Sequence, residues 1–337
     1  MKSLIFSFMG LLLAYSPAGL VAHEPARPEA SQSPRNQIAR VVTITLEGLP
    51  RDTNDLLEPA MARLDRAASF HPDIACLPEF FSNRAPEPVP GPVTERLAAW
   101  AREHSSYVIF GLKMKKGDRV YNSAILLDRG GQIVGQYDST HPDEGQLKAG
   151  VTPGKDSGPP IFKTDFGTIG ILICFDVNWR DMWRHLKEQG AQIVFWPSSY
   201  PAGRQLSALA LWNEYYVVSS PMDGSAHIYD ITGEALATTG KYQDWAGAAL
   251  PMGKRLFETD YNVPKAREIQ QKYGSRVEVT WYHDSSWFTL ASLDPDLSVA
   301  DLIGEYGLTP LDEYIARSTK EINQARAAME GKARATK

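Results

Sequence analysis

Residues 168–176 read Thr-Ile-Gly-Ile-Leu-Ile-Cys-Phe-Asp. Ile169, Ile171 and Ile173 are β-branched, and apolar or small residues fill the gaps between them. The run predicts a strand buried on both faces. Such a strand needs cover above and below, which a layered α/β fold supplies. The rest of the chain fits that frame. Strands are predicted over 41–46, 74–77, 107–112, 193–196 and 217–220. Hairpins are predicted for 122–127 with 132–137, around Arg129-Gly130-Gly131, and for 228–229 with 235–238. Helices fall between them: one with Leu57, Met61, Leu64 and Ala68 on a face, one capped near Thr94, one over 180–189 stopping at Gly190, and one over 204–215.

Four segments are expected: a signal peptide over 1–22, a flexible leader over 23–37, one catalytic-size domain over 38–292, and a C-terminal helical extension over 293–337. In the extension, Leu311, Ile315, Ile322, Ala325 and Met329 share a helical face. That face suits docking on the parent domain or on a second copy. At the N-terminus, Lys2, the apolar stretch 4–14 and Leu20-Val21-Ala22 have the order of an export signal. The apolar stretch is too short for a membrane span, which needs about 20 residues. The chain is therefore expected to be exported, to the periplasm or the cell exterior, with no membrane span in its mature part.

The 337 residues carry a formal net charge of -5 and 43% hydrophobic residues, enough for a large core. A nucleic-acid binder would usually carry a basic face, and no phosphate-binding Gly-rich loop is present. Asp165-Phe166-Gly167 lacks the companions of a kinase motif and reads as a turn. None of the seven histidines forms a zinc motif, and no metal site is expected.

Cys174 ends the buried strand where a helix pattern follows. A helix N-terminus lowers a thiol pKa, so this position suits a nucleophile. Glu79 follows another apolar strand, Ile74-Ala75-Cys76-Leu77-Pro78, and burial there would raise its pKa toward that of a useful general base. The pair forms a base-and-thiol candidate. Cys76 is the only other cysteine. In an oxidising compartment the two could bridge, although strand alternation turns Cys76 away from the face of Glu79.

In these motifs the chain resembles the nitrilase, or carbon–nitrogen hydrolase, superfamily. Leu77-Pro78-Glu79-Phe80-Phe81 is similar to its glutamate motif, and Gly170-Ile171-Leu172-Ile173-Cys174-Phe175-Asp176 to its cysteine motif. Tyr121-Asn122-Ser123-Ala124, Gly150-Val151-Thr152-Pro153-Gly154 and Gly224-Ser225 with Asp230 and Gly233 follow in the family order. The resemblance spans roughly 38–291. It implies an αββα sandwich that becomes four-layered on dimerisation, a homodimer or larger homo-oligomer, and a Glu–Lys–Cys triad that needs no cofactor. It also implies an amidase-like reaction on a small linear amide or carbamoyl compound, through a thioester on Cys174.

The chain departs from the family where the lysine belongs. Tyr137-Asp138-Ser139-Thr140-His141 puts Ser139 at that place. A hydroxyl is a neutral donor, and losing one preorganised donor costs about 10²–10³-fold in rate. Asp138 adds a nearby negative charge. Lys148, Lys113 or His141 could supply the missing cation. The family's second glutamate falls at Gln146, with Glu144 close enough to serve. Trp212 stands where a later family glutamate belongs. Phe175, Trp179, Trp196 and Trp212 are candidate walls of a substrate pocket. The alternative reading is a ligand-binding protein on the same scaffold with catalysis impaired.

Overall fold

A computed structural model of the chain describes residues 38–50, 55–82 and 85–335. The expected signal peptide and leader lie outside the described residues. In the first half, β1 (Ile38–Ile44), α1 (Leu57–Ala67), β2 (Ile74–Cys76), α2 (Pro92–His104), β3 (Tyr107–Lys116), β4 (Arg119–Leu127), β5 (Ile133–Asp138) and the one-turn α3 (Glu144–Lys148) follow one another. The second half continues with β6 (Ile161–Lys163), β7 (Thr168–Ile171), α4 (Arg180–Glu188), β8 (Ile193–Ser198), α5 (Gly203–Asn213), β9 (Tyr216–Pro221), β10 (His227–Tyr229), β11 (Ala235–Thr238) and β12 (Trp245–Pro251).

These strands build two six-stranded sheets, ordered β12-β1-β2-β3-β4-β5 and β11-β10-β9-β8-β7-β6. The centre of each is parallel, and the flanks are antiparallel. Period-two alternation assigns each strand's residues to two layers. Val42, Ile44, Ala75 and Phe110 pack with Met61, Leu64, Leu97 and Trp100 of α1 and α2. Their neighbours Val41, Ile74, Cys76 and Ile109 pack toward Ile171, Phe195 and Val217 of the second sheet. That cluster continues to Trp183 and Leu186 of α4 and to Leu206 and Leu209 of α5. The result is the expected αββα sandwich.

Beyond β12 the chain forms a second, smaller unit of core. β13 (Arg255–Glu258), α6 (Val263–Tyr273), β14 (Val277–Tyr282) and β15 (Trp287–Ser292) precede α7 (Val299–Tyr306) and α8 (Leu311–Ala335). The three strands pair in the order β13-β15-β14, and Phe257, Ile269, Phe288, Leu290 and Leu302 pack together beneath them. No strands were expected in this stretch. The helical part expected over 293–337 is α7 and α8. Leu311 is buried at the root of α8, whereas Ile315, Ile322 and Met329 are exposed.

Candidate active site

The first sheet delivers Glu79 one turn past β2, and the second delivers Cys174 just past β7. Both ends carry unusual backbone. Cys174 has φ 46° and Phe80, next to Glu79, has φ 51°. Non-glycine residues adopt this left-handed region at a cost of about 1–3 kcal/mol, and such strain gathers at functional sites. The Trp196 indole donates to the Cys174 carbonyl at 3.0 Å, which pins the turn from β8.

The two predicted residues meet. The Cys174 thiol and the Glu79 carboxylate lie close enough for each to be among the main influences on the other's pKa. Glu79 is wholly buried. Its Oε1 accepts from Asn122 Nδ2 at 2.7 Å and from Gln146 Nε2 at 3.1 Å, and its Oε2 accepts from the Ser199 hydroxyl at 3.0 Å. Burial raises the Glu79 pKa, and these donors oppose the rise. None of the groups that shift it is a cation.

The thiol behaves differently from the sequence expectation. Burial first, then the charge of Glu79, push its pKa up rather than down. The reason is local. Only a single 3-10 turn, Cys174–Asn178, follows the cysteine, and α4 starts at Arg180, so no helix N-terminus reaches the sulfur. At rest the proton belongs on sulfur, and a thiolate forms by transfer to Glu79. Tyr200, packed edge-on against Trp196, is held in the same surroundings; burial, the thiol and Glu79 together push its pKa up to about 12.

Asp176 ties the cysteine turn to β5. Its buried carboxylate accepts from Tyr137 OH at 3.0 Å, Ser139 Oγ at 3.3 Å, His141 N at 3.0 Å and Ile173 N at 3.1 Å. Ser139 is thus buried and spends its hydroxyl proton on Asp176. The Ser139 N–H donates to the Asn122 carbonyl at 2.8 Å, and the Ser139 carbonyl accepts from Gly154 N at 2.8 Å. Glycine is needed there, because a Cβ at 154 would fall 2.2 Å from the Asp138 carbonyl oxygen.

Several expectations are corrected. Asp138 adds no charge to the site: alternation along β5 turns it the other way, onto Ser123 Oγ and Gln136 Nε2, each at 2.7 Å. Glu144 is exposed and ion-paired with Lys148 at 3.1 Å, so neither reaches Glu79; Gln146, two residues further on and on the other side of the turn, does. Trp212 lies on the exposed side of α5 beneath the Arg180 guanidinium, 4.7 Å from its ring centroid. Trp196 is core beneath the cysteine rather than pocket wall. The bridge that the sequence left open does not form: both cysteines are free and buried, in keeping with the strand alternation that turns Cys76 away.

Two aromatic candidates stay near the cysteine turn. Trp179 stacks on the His141 ring, with centroids 3.7 Å apart, and Phe175 packs edge-on to Trp179 with 37% of its surface exposed. His141 Nδ1 lies 3.4 Å from Asp176 Oδ1. The Lys113 ammonium lies over the Phe80 ring, 5.3 Å from its centroid. Sequence reasoning did not assign Ser199 and Tyr200 to the site, although Pro197-Ser198-Ser199-Tyr200 ends a buried strand as the Glu79 and Cys174 segments do. Among the described residues no group of three or more His, Cys, Asp or Glu is arranged to hold a metal ion.

Comparison with known proteins bears on the family and the fold. The family model for carbon–nitrogen hydrolase matches residues 39–248. The deaminated glutathione amidase of Mus musculus is 28% identical over 49% of this chain and 60% of its own length. The nitrilase of Pyrococcus abyssi is 30% identical over 45% of this chain and 58% of its own. The chain thus spans about half to three-fifths of the length of these relatives. The crystal structure of an amidase from Nesterenkonia sp. superposes with a TM-score of 0.54 at 20% identity, covering 71% of this chain and 97% of that one. That likeness is one of fold.

Proposed function

Because the chain belongs to the carbon–nitrogen hydrolase family, we propose that it hydrolyses a small linear amide or carbamoyl compound through a thioester on Cys174. The observation that carries the reading is the juxtaposition of the Cys174 thiol and the buried Glu79 carboxylate at two strained strand ends. Glu79 takes the thiol proton as sulfur attacks the carbonyl carbon. The C=O electrons move onto oxygen, and the Phe175 N–H, first after the nucleophile, is placed to receive that charge. The oxyanion collapses, the C–N bond breaks, and Glu79 returns its proton to the leaving nitrogen. Water then gives Glu79 a proton and adds to the thioester. The C–S bond breaks, the carboxylic acid leaves, and the thiol is restored. Phe175 and Trp179 wall the substrate.

The test is ammonia release from short aliphatic amides, with intact-mass measurement of quenched reactions. An acyl adduct on Cys174 and loss of turnover in Cys174→Ala are expected. The absence of both ammonia and adduct with every amide tried overturns the reading.

A second reading is favoured by Ser139, whose hydroxyl is engaged by Asp176, and by the neutral Gln146. In it the protein binds a ligand and catalysis is impaired. Turnover that appears only in Ser139→Lys would establish it. Two further parts of the proposal concern context. The export-type N-terminus points to a periplasmic or extracellular protein, which N-terminal sequencing of the native protein would test. The exposed Ile315, Ile322 and Met329 recur every seven residues on α8, a spacing that suits pairing with a second copy.

A further inference from the structure

The residues around Ser139 leave an unusual set of atoms. The Ser139 hydroxyl donates to Asp176, so what it offers elsewhere is lone pairs. Asn122 is the adjoining residue on β4. Its amide nitrogen serves both Glu79 Oε1 and Gln146 Oε1, at 2.7 and 3.1 Å. Its amide oxygen, Oδ1, is buried and has no hydrogen-bond partner among the described residues. A buried acceptor without a donor is costly, so a native site is expected to bring one. Among the described residues, Glu79 itself is held by neutral donors. The place spanned by Asn122 between Ser139 and Glu79 therefore presents acceptors and a buried carboxylate. Among the described residues, the donors that reach it are neutral, and none serves Asn122 Oδ1.

The side chain standing here in the resembling family brings polar hydrogen and positive charge together, as an ammonium on a long stem. In this chain the stem is a single CH₂. The change is paired, since Gln146 stands where a second glutamate is expected, and losing one cation with one anion leaves the net charge of the site as before. What changes is that the cation need no longer be covalently attached.

We propose that this place binds a free ammonium ion, donating to Asn122 Oδ1, Ser139 Oγ and Glu79, and that bound ammonium activates amide hydrolysis at Cys174. Four N–H donors and no lone pair match a site made of acceptors, and the charge favours the carboxylate form of Glu79. The inference rests on the hydrolase reading above. The reaction itself releases ammonium, so the product would activate its own formation.

The experiment measures initial rates of amide hydrolysis by the wild-type chain in ammonium, sodium, potassium, ethylammonium and tetramethylammonium chloride at fixed ionic strength. A thioester readout on Cys174 runs alongside. A saturable activation by ammonium of about 10²-fold is expected, the scale of one preorganised charged donor. A lag in progress curves without added ammonium, removed by adding it, is expected too. Ser139→Lys should be fast and indifferent to ammonium. Ser139→Ala, which keeps the fold in case the lysine variant does not, should need a higher ammonium concentration for half-activation. Equal rates in sodium and ammonium overturn the ammonium site and leave the hydrolase reading standing. Activation by potassium as strong as by ammonium also overturns it, because potassium has no N–H to donate. Ethylammonium activating where ammonium does not would assign the place to a substrate-borne cation instead. If neither wild type nor Ser139→Lys forms ammonia or an adduct in any salt, both readings fall together.

Discussion

Gln146 Nε2 donates to Glu79 Oε1 at 3.1 Å, on the oxygen that Asn122 also serves. Replacing Gln146 by glutamate would set a second carboxylate against the first with no cation between them. Two like charges in one buried site cannot both stay ionised. Gln146→Glu is expected to lower hydrolysis by more than about tenfold and to destabilise the fold by about 1–3 kcal/mol. In the Ser139→Lys background the same change should be tolerated or beneficial. A double-mutant cycle should then give a coupling of about 1–3 kcal/mol, with urea unfolding and kcat/KM as its two readouts.

Glu79→Gln separates stability from chemistry. The folded-state pKa of Glu79 lies above its ordinary 4.5 because of burial. Between the two values the folded chain keeps a proton that the unfolded chain has released. Stability from this group is full below pH 4.5 and is lost as pH rises through the folded value. Glutamine stays neutral and still accepts from Asn122 and Gln146. The variant should therefore be inactive yet more stable than wild type at neutral pH, with the gap closing as pH falls toward 4.5. Denaturant midpoints across pH check this.

The two reacting groups were legible because each follows an apolar strand that admits few other readings: Ile74–Leu77 before Glu79 and Ile169–Ile173 before Cys174. Their partners were not. Asn122 and Ser199 are short polar side chains, and only the folded sheets show that they converge on one carboxylate. Asp138 was misplaced because charge was counted without applying strand alternation to β5, which separates it from Tyr137 and Ser139. The thiol pKa was expected low because the helix pattern seemed to begin at the cysteine, whereas α4 begins at Arg180. The β13–β15 sheet was missed although Val277, Val279 and Trp281 of β14 alternate with Glu278 and Thr280, a period-two pattern open to sequence reading.

Asp176→Asn tests the tie between the cysteine turn and β5. The carboxylate accepts four hydrogen bonds, from Tyr137, Ser139, His141 and Ile173. An amide keeps one acceptor oxygen and turns two N–H groups toward donors. The expected loss is about 3 kcal/mol, on the scale of hydrogen bonds to a buried charge plus stranded donors. It should appear as a lower urea midpoint at unchanged slope. Cys174 should also lose reactivity toward a small alkylating amide, since its backbone geometry depends on this tie.

Ile322→Asp addresses assembly. Ile322 is half-exposed on α8, so the folded single chain loses little by the change. If the Ile315–Ile322–Met329 stripe pairs with its copy, the aspartate places like charges in the seam. Self-association should weaken by about 30-fold, equivalent to roughly 2 kcal/mol. The thermal midpoint at low protein concentration should stay put. Sedimentation across a concentration series reads the first, and calorimetry the second.

The pH profile of hydrolysis follows from the state of the pair. Turnover needs Glu79 ionised and the thiol still carrying its proton. Burial raises the Glu79 pKa, so kcat/KM should fall on the acid side at a pH above the ordinary carboxylate value of 4.5. The thiol is pushed above its ordinary 9.0, so no alkaline loss from thiol ionisation is expected near neutral pH. A cation beside Glu79 favours its charged form, and Ser139→Lys should therefore move the acid limb to lower pH and leave the alkaline side open. Saturating ammonium should do the same in the wild-type chain and nothing further in the lysine variant. An acid limb at the same pH in all three conditions would mean that the limb reports some group other than Glu79.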